Sequence, residues 1–108
     1  PEGIGRLASL EQLDLRENRL LHLPAGIGQL ASLERLVVNE NVLRDLPDSI
    51  GGLSSLEVLH AVGNSLAVLP PSFCELRALR MLYLNGNMLS ALPESFGDLV
   101  NLSERRLE

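Results

Sequence analysis

Side chains able to do bond chemistry are few in this 108-residue chain: two histidines (His22, His60), one cysteine (Cys74) and one tyrosine (Tyr83). Nucleophilic catalysis needs a nucleophile, a base and a group orienting the base, all within hydrogen-bond reach. His60 and Tyr83 are 23 residues apart, which is also the period of the whole chain. They should therefore lie on adjacent strands in one column, near enough to hydrogen-bond, but with no third partner. Cys74 falls on the opposite side with no flanking base to lower its pKa, so it reads as a small tolerated residue. His22 and His60 belong to different faces and assemble no metal cluster, and no glycine-rich phosphate loop follows a strand pattern. The expectation is a protein with no catalytic residues, no metal and no cofactor.

The polar side chain that does recur is asparagine. Asn18, Asn41, Asn64 and Asn87 are separated by 23 residues each time, inside the segments LEQLDLRENRL, LERLVVNENVL, LEVLHAVGNSL and LRMLYLNGNML. Each segment is followed by a second shared stretch: HLPAGIGQL, DLPDSIGGL, VLPPSFCEL and ALPESFGDL. Self-similarity at such a period marks a repeat architecture. The expected division is a partial unit 1–9, full units 10–32, 33–55, 56–78 and 79–101, and a partial unit 102–108, all in one segment.

Within a unit, LxxLxLxxNxL alternates with period two around its central Leu-x-Leu, as in a short half-buried strand. Leu13/Leu15, Leu36/Val38, Leu59/Ala61 and Leu82/Leu84 should point inward. Strands recurring in one direction must pair in parallel, and the remaining dozen residues then form the crossover. Pro24, Pro47, Pro70 and Pro93 forbid a long helix in that crossover. Ile4, Ile27, Ile50, Phe73 and Phe96 form one sealing column there, and Leu7, Leu30, Leu53, Leu76 and Leu99 another. After the strand the chain turns, leaving backbone groups inside without ladder partners. An asparagine amide offers both a donor and an acceptor for such groups, which explains why Asn18, Asn41, Asn64 and Asn87 recur as a ladder.

These motifs resemble the leucine-rich repeat family from Ile4 to Leu102. The LxxLxLxxNxL units joined by LPxxIGxL are similar to the 23-residue class of Scribble- and Erbin-type polarity proteins and Ras-pathway scaffolds. The resemblance implies an α/β fold: a right-handed leucine-rich repeat solenoid with a curved parallel sheet on its concave face. Short irregular, 3-10 or helical return segments would line the convex face. It also implies a cytoplasmic, non-catalytic module that binds other proteins through the concave face, and a single cysteine fits a reducing compartment.

The outward strand positions differ most between units, so partner choice should reside there. The columns are Gln12, Arg35, Val58, Met81; then Asp14, Val37, His60, Tyr83; then Arg16, Asn39, Val62, Asn85; and at the strand exit Glu17, Glu40, Gly63, Gly86. The face grades from charged to apolar along the array, with Met88 joining its apolar end. Val37, Val58, His60, Val62, Met81, Tyr83, Asn85, Arg35 and Asn39 are the candidate partner-binding residues. Tyr83 is the expected anchor, because aromatics dominate interface hot spots. Gly63 and Gly86 either clear the rim for a partner side chain or serve as turn residues.

A net charge of −5 opposes nucleic-acid binding. No run approaches the roughly 18 apolar residues of a membrane span. The chain enters partway through a return segment, and Arg105 stands where an inward leucine belongs, as expected of a fragment of a longer protein. Poorly covered Ile4, Leu7, Leu10 and Leu13 at one end, and Leu99, Leu102 and Leu107 at the other, would favour end-to-end self-association. The expected function is a protein-interaction scaffold. Alternatives are an architectural spacer in a large complex, or the regulatory repeat domain of a multidomain signalling enzyme.

Overall fold

The computed structural model describes residues 10–89 and the backbone of a further strand at 104–106. Five three-residue strands form one parallel sheet in sequence order: β1 (Gln12–Asp14), β2 (Arg35–Val37), β3 (Val58–His60), β4 (Met81–Tyr83) and β5 (Glu104–Arg106). Every register step equals the sequence period: Leu13 lies beside Leu36, Leu36 beside Leu59, and Leu59 beside Leu82. The fifth strand continues this register, with Arg105 beside Leu82. Backbone pairing therefore extends past the point where the leucine pattern lapses, because ladder hydrogen bonds do not depend on side-chain type.

The crossovers are 3-10 helices at Ala25–Gln29, Asp48–Gly52 and Pro71–Glu75. Each is set by its leading proline, whose φ of −64° to −67° and extended ψ deliver the chain into the turn. The proline carbonyl then accepts from the N–H three residues on, at Ile27, Ile50 and Phe73. Five residues of 3-10 helix are about as long as this geometry usually runs, which suits a unit of only 23 residues. No α-helix occurs among the described residues.

Between sheet and crossovers lies a layered leucine core. Ile27, Ile50 and Phe73 are fully buried, as are Leu30, Leu53 and Leu76. From the strands Leu36, Leu59 and Leu82, and just past them Val38, Ala61 and Leu84, are buried too. At the first unit Leu10, Leu13, Leu15 and Leu20 are only partly buried. Ile4, Leu7, Leu99, Leu102 and Leu107 lie outside the described residues.

The buried polar atoms of the turns are satisfied by asparagine. Asn41 Oδ1 accepts from the N–H groups of Asn18 (2.9 Å) and Leu20 (3.0 Å), while its Nδ2 donates to the Leu15 and Val38 carbonyls, both at 2.9 Å. Asn64 repeats the pattern, accepting from Leu43 N–H at 3.2 Å and donating to Val38 and Ala61 at 3.1 Å. Asn87 accepts from Leu66 N–H at 3.0 Å and donates to Ala61 and Leu84 at 2.8 and 2.9 Å. Asn18 differs: it is exposed, and among the described residues its amide reaches only the Arg16 carbonyl, at 3.2 Å.

Candidate protein-binding face

The concave face is built from the residues flanking each inward leucine. Gln12, Arg35, Val58 and Met81 stand side by side, as do Asp14, Val37, His60 and Tyr83. His60 and Tyr83 do more than neighbour each other. Their rings stack with centroids 4.5 Å apart and planes inclined by 15°, a face-to-face contact where the spacing alone suggested a hydrogen bond. Burial and then the nearby Arg35 charge push the His60 pKa down, so the ring favours its neutral form. Val58, Val62, Met81 and Tyr83 are all partly exposed around this stack.

Val37 departs from the expected presentation. It is 8% exposed yet belongs to no part of the central leucine cluster. Flanked in register by Asp14 and His60, it is a buried residue of the sheet face and lines a depression there. Met88 also departs: it is 64% exposed but lies past Asn87, in the turn position shared with Arg19, Val42 and Ser65. It is not a residue of the sheet face.

A depression of about 520 Å³ opens at the charged end, lined by Gln12, Leu13, Asp14, Arg16, Arg35, Val37, Asn39 and His60. Asp14 and Arg16 grip one another inside it: Nε lies 2.9 and 3.0 Å from the two carboxylate oxygens, and a terminal nitrogen 2.8 Å away. That guanidinium holds the Asp14 carboxyl below its usual range. Asn39 Oδ1 accepts from Val62 N–H of the next unit at 2.8 Å. A neighbouring hollow is lined by Asp14, Arg16, Glu17, Asn39 and Glu40.

The strand-exit column is a left-handed turn in every unit. Gly63 and Gly86 have φ of 74° and 75°, and Glu17 and Glu40 adopt the same region at 59° and 58°. A side chain costs roughly 1–2 kcal/mol there, so the glycines are turn residues. Gly63 further lies beneath Glu40, whose Oε1 would be 2.8 Å from an added Cβ.

Asn85 carries an unusual atom. Among the described residues its Oδ1 is buried with no hydrogen-bond partner, whereas Asn39 at the same position of its unit accepts from Val62 N–H. Unit three solves the position with Val62. Asn85→Val is therefore expected to stabilise the fold by about 1 kcal/mol, by removing an unsatisfied acceptor. Thermal unfolding should show a midpoint several degrees higher; an unchanged or lower midpoint would count against the orphan acceptor.

One set of contacts escaped sequence reading. Ser49 Oγ donates to the Ala25 carbonyl and Ser72 Oγ to the Asp48 carbonyl, both at 2.6 Å. These serines stitch each crossover to the one before. The signal was the serine before Ile50 and Phe73, 23 residues apart, which the apolar columns overshadowed.

Among the described residues no three His, Cys, Asp or Glu side chains gather as a metal site, and no helix is long and apolar enough to cross a membrane. Residues 1–62 match the family described as leucine-rich repeat region, and residues 78–99 match leucine rich repeat. The chain belongs to the leucine-rich repeat family. No curated protein matches it. Among solved structures, this leucine-rich repeat chain is 32% identical to a leucine-rich repeat protein of Leptospira interrogans, with a TM-score of 0.84 over 96% of its own length and 32% of that chain. It is 30% identical to the plant peptide hormone receptor RGFR1, solved in complex with RGF2, with a TM-score of 0.86 over 99% of its length and 18% of that receptor. Internalin C2 from Listeria monocytogenes shares the fold at 23% identity and a TM-score of 0.85, covering 97% of this chain and 45% of that one. The chain thus spans less than half the length of each. The leucine-rich repeat is generally a non-catalytic interaction fold, and the match to the receptor at 30% identity fits a protein-interaction role.

Proposed function

We propose that this chain is a scaffold module that binds a partner polypeptide on its concave sheet face, without catalysis, in a reducing intracellular compartment. One observation carries the reading: the stacked His60–Tyr83 pair stands partly exposed, with Val58, Val62 and Met81 around it. An aromatic set among valines and a methionine, with charged residues along one side, has the composition of an interface centre with a polar rim. The hormone receptor solved with RGF2 supports the reading.

The test is a paired affinity capture from source cells, using the chain within its parent protein and a version carrying Val62→Glu and Tyr83→Glu. Both positions lie on the outward face, so circular dichroism should show the fold intact. Partners found on the unaltered bait should be lost from the double variant, with binding weakened about 30-fold or more, as for other interface hot spots. An unchanged partner set would overturn the concave-face reading and favour an architectural spacer.

A further inference from the structure

The charged end of the concave face presents hydrogen-bond donors that the fold itself leaves unused. The Arg35 guanidinium makes no ion pair or hydrogen bond among the described residues, while Arg16, which lines the same depression, is paired with Asp14 through Nε and one terminal nitrogen. Asn39 is oriented by Val62 N–H, which occupies its Oδ1 at 2.8 Å. Its Nδ2 makes no hydrogen bond among the described residues, so both N–H groups are unspent. The His60 ring and the buried Val37 line the same depression.

Resting on the reading of this face as the binding surface, we propose that Arg35, Asn39 and His60 form a subsite for one carboxylate, an aspartate or glutamate side chain of an extended partner segment. A guanidinium and an amide donor at one site suit the paired oxygens of a carboxylate. Asp14 lines the depression as well as the adjoining hollow, but its charge is offset by Arg16, whereas Glu17 and Glu40 in the adjoining hollow repel a second negative charge and so disfavour a polyanion. The depression leads into that hollow on one side and toward Tyr83 on the other. A segment can therefore cross in both directions, which fits a side chain better than a chain end.

The spacing of the partner follows. Strands β2 and β4 are separated by two steps of ~4.8 Å. In polyproline-II geometry residues i and i+3 share a face at about 9.3 Å, so with the acid over β2 an apolar residue three positions away reaches Tyr83 on β4.

The experiment uses a library of acetylated and amidated decapeptides, selected on the chain and re-tested singly by fluorescence anisotropy. The subsite predicts enriched peptides with Asp or Glu three residues from an apolar residue, and Glu→Gln in such a peptide should weaken binding about tenfold or more. Arg35→Glu should cause a similar loss, and peptides with Lys in place of the acid should bind that variant better than the original chain. Enriched peptides insensitive to Glu→Gln, yet lost with Val62→Glu and Tyr83→Glu, would overturn the subsite and leave the face reading intact. Binding untouched by any of these variants would overturn both. No enrichment, or enrichment only in a parallel library with free C-terminal carboxylates, would also overturn the side-chain subsite.

Discussion

Asn64→Asp should destabilise the protein more than Asn64→Ala, although aspartate is the closer match in shape. Asn64 is 6% exposed and works in both directions, accepting from Leu43 N–H and donating to the carbonyls of Val38 and Ala61. Alanine leaves the Leu43 N–H without its partner, while the Val38 and Ala61 carbonyls keep the donors of Asn41 and Asn87; at 1–3 kcal/mol for a group left dry the loss is about 1–3 kcal/mol. An ionised aspartate keeps the acceptor but turns an oxygen toward two carbonyls where an N–H₂ stood. It adds a buried charge with no cation beside it, a costlier state than an empty site. The folded state then resists ionisation, so the aspartate's folded pKa is raised above its unfolded value of about 3.9. For a raised pKa the penalty is full at neutral pH, and it shrinks as pH falls through the raised folded value toward the unfolded one. Urea unfolding at pH 7 and pH 4.5 would check this, with the alanine variant as the control without that pH dependence. An aspartate variant as stable as the original at pH 7 would refute the two-way role of the amide.

That expectation was close to readable in the sequence, because it depends on a residue whose chemistry and period agree. The 23-residue interval set the parallel register, and the alternation of Leu36, Leu59 and Leu82 with their neighbours set which residues face outward. Both are backbone-period effects, and period is what a sequence displays directly. The interior of the concave face was harder to read. Val37 and Val62 are the same residue type in neighbouring columns, yet Val37 is buried and Val62 partly exposed. The difference lies in the side chains of adjoining units, which close over one and not the other. Arg35 and Arg16 are both arginines of the charged end, but only the contact with Asp14 two residues away separates a spent guanidinium from an unspent one. Such differences arise from rotamers, and alternation carries no information about rotamers.

The second large effect lies on the convex side, where glycine is needed for space rather than for backbone freedom. A Cβ added to Gly28 would run into the Ser49 carbonyl oxygen and lie 2.8 Å from the Ser49 Cβ, and one added to Gly51 would lie 2.6 Å from the Ser72 carbonyl oxygen. The obstacle in each case is the backbone of the next 3-10 helix, which has no rotamer to change. Gly28→Ala must therefore push adjacent units apart, straining the Ser49–Ala25 hydrogen bond and the packing of Ile27 against Ile50. Overpacking of this kind costs about 1–3 kcal/mol, and the upper end applies because a shift at one crossover is shared by the sheet that spaces the units. The melting temperature should fall by about 10–20 °C for a chain of this size. Removing the serine side chain as well, in Gly28→Ala with Ser49→Ala, should give no rescue, since the carbonyl stays in place. The same position in the next unit is Cys74, buried at 5% exposure, where a side chain is already accommodated. Cys74→Gly should be far milder, near 1 kcal/mol, from lost apolar burial and added chain entropy. Gly28→Ala and Cys74→Gly with equal melting temperatures would show that unit spacing is not set by this glycine column.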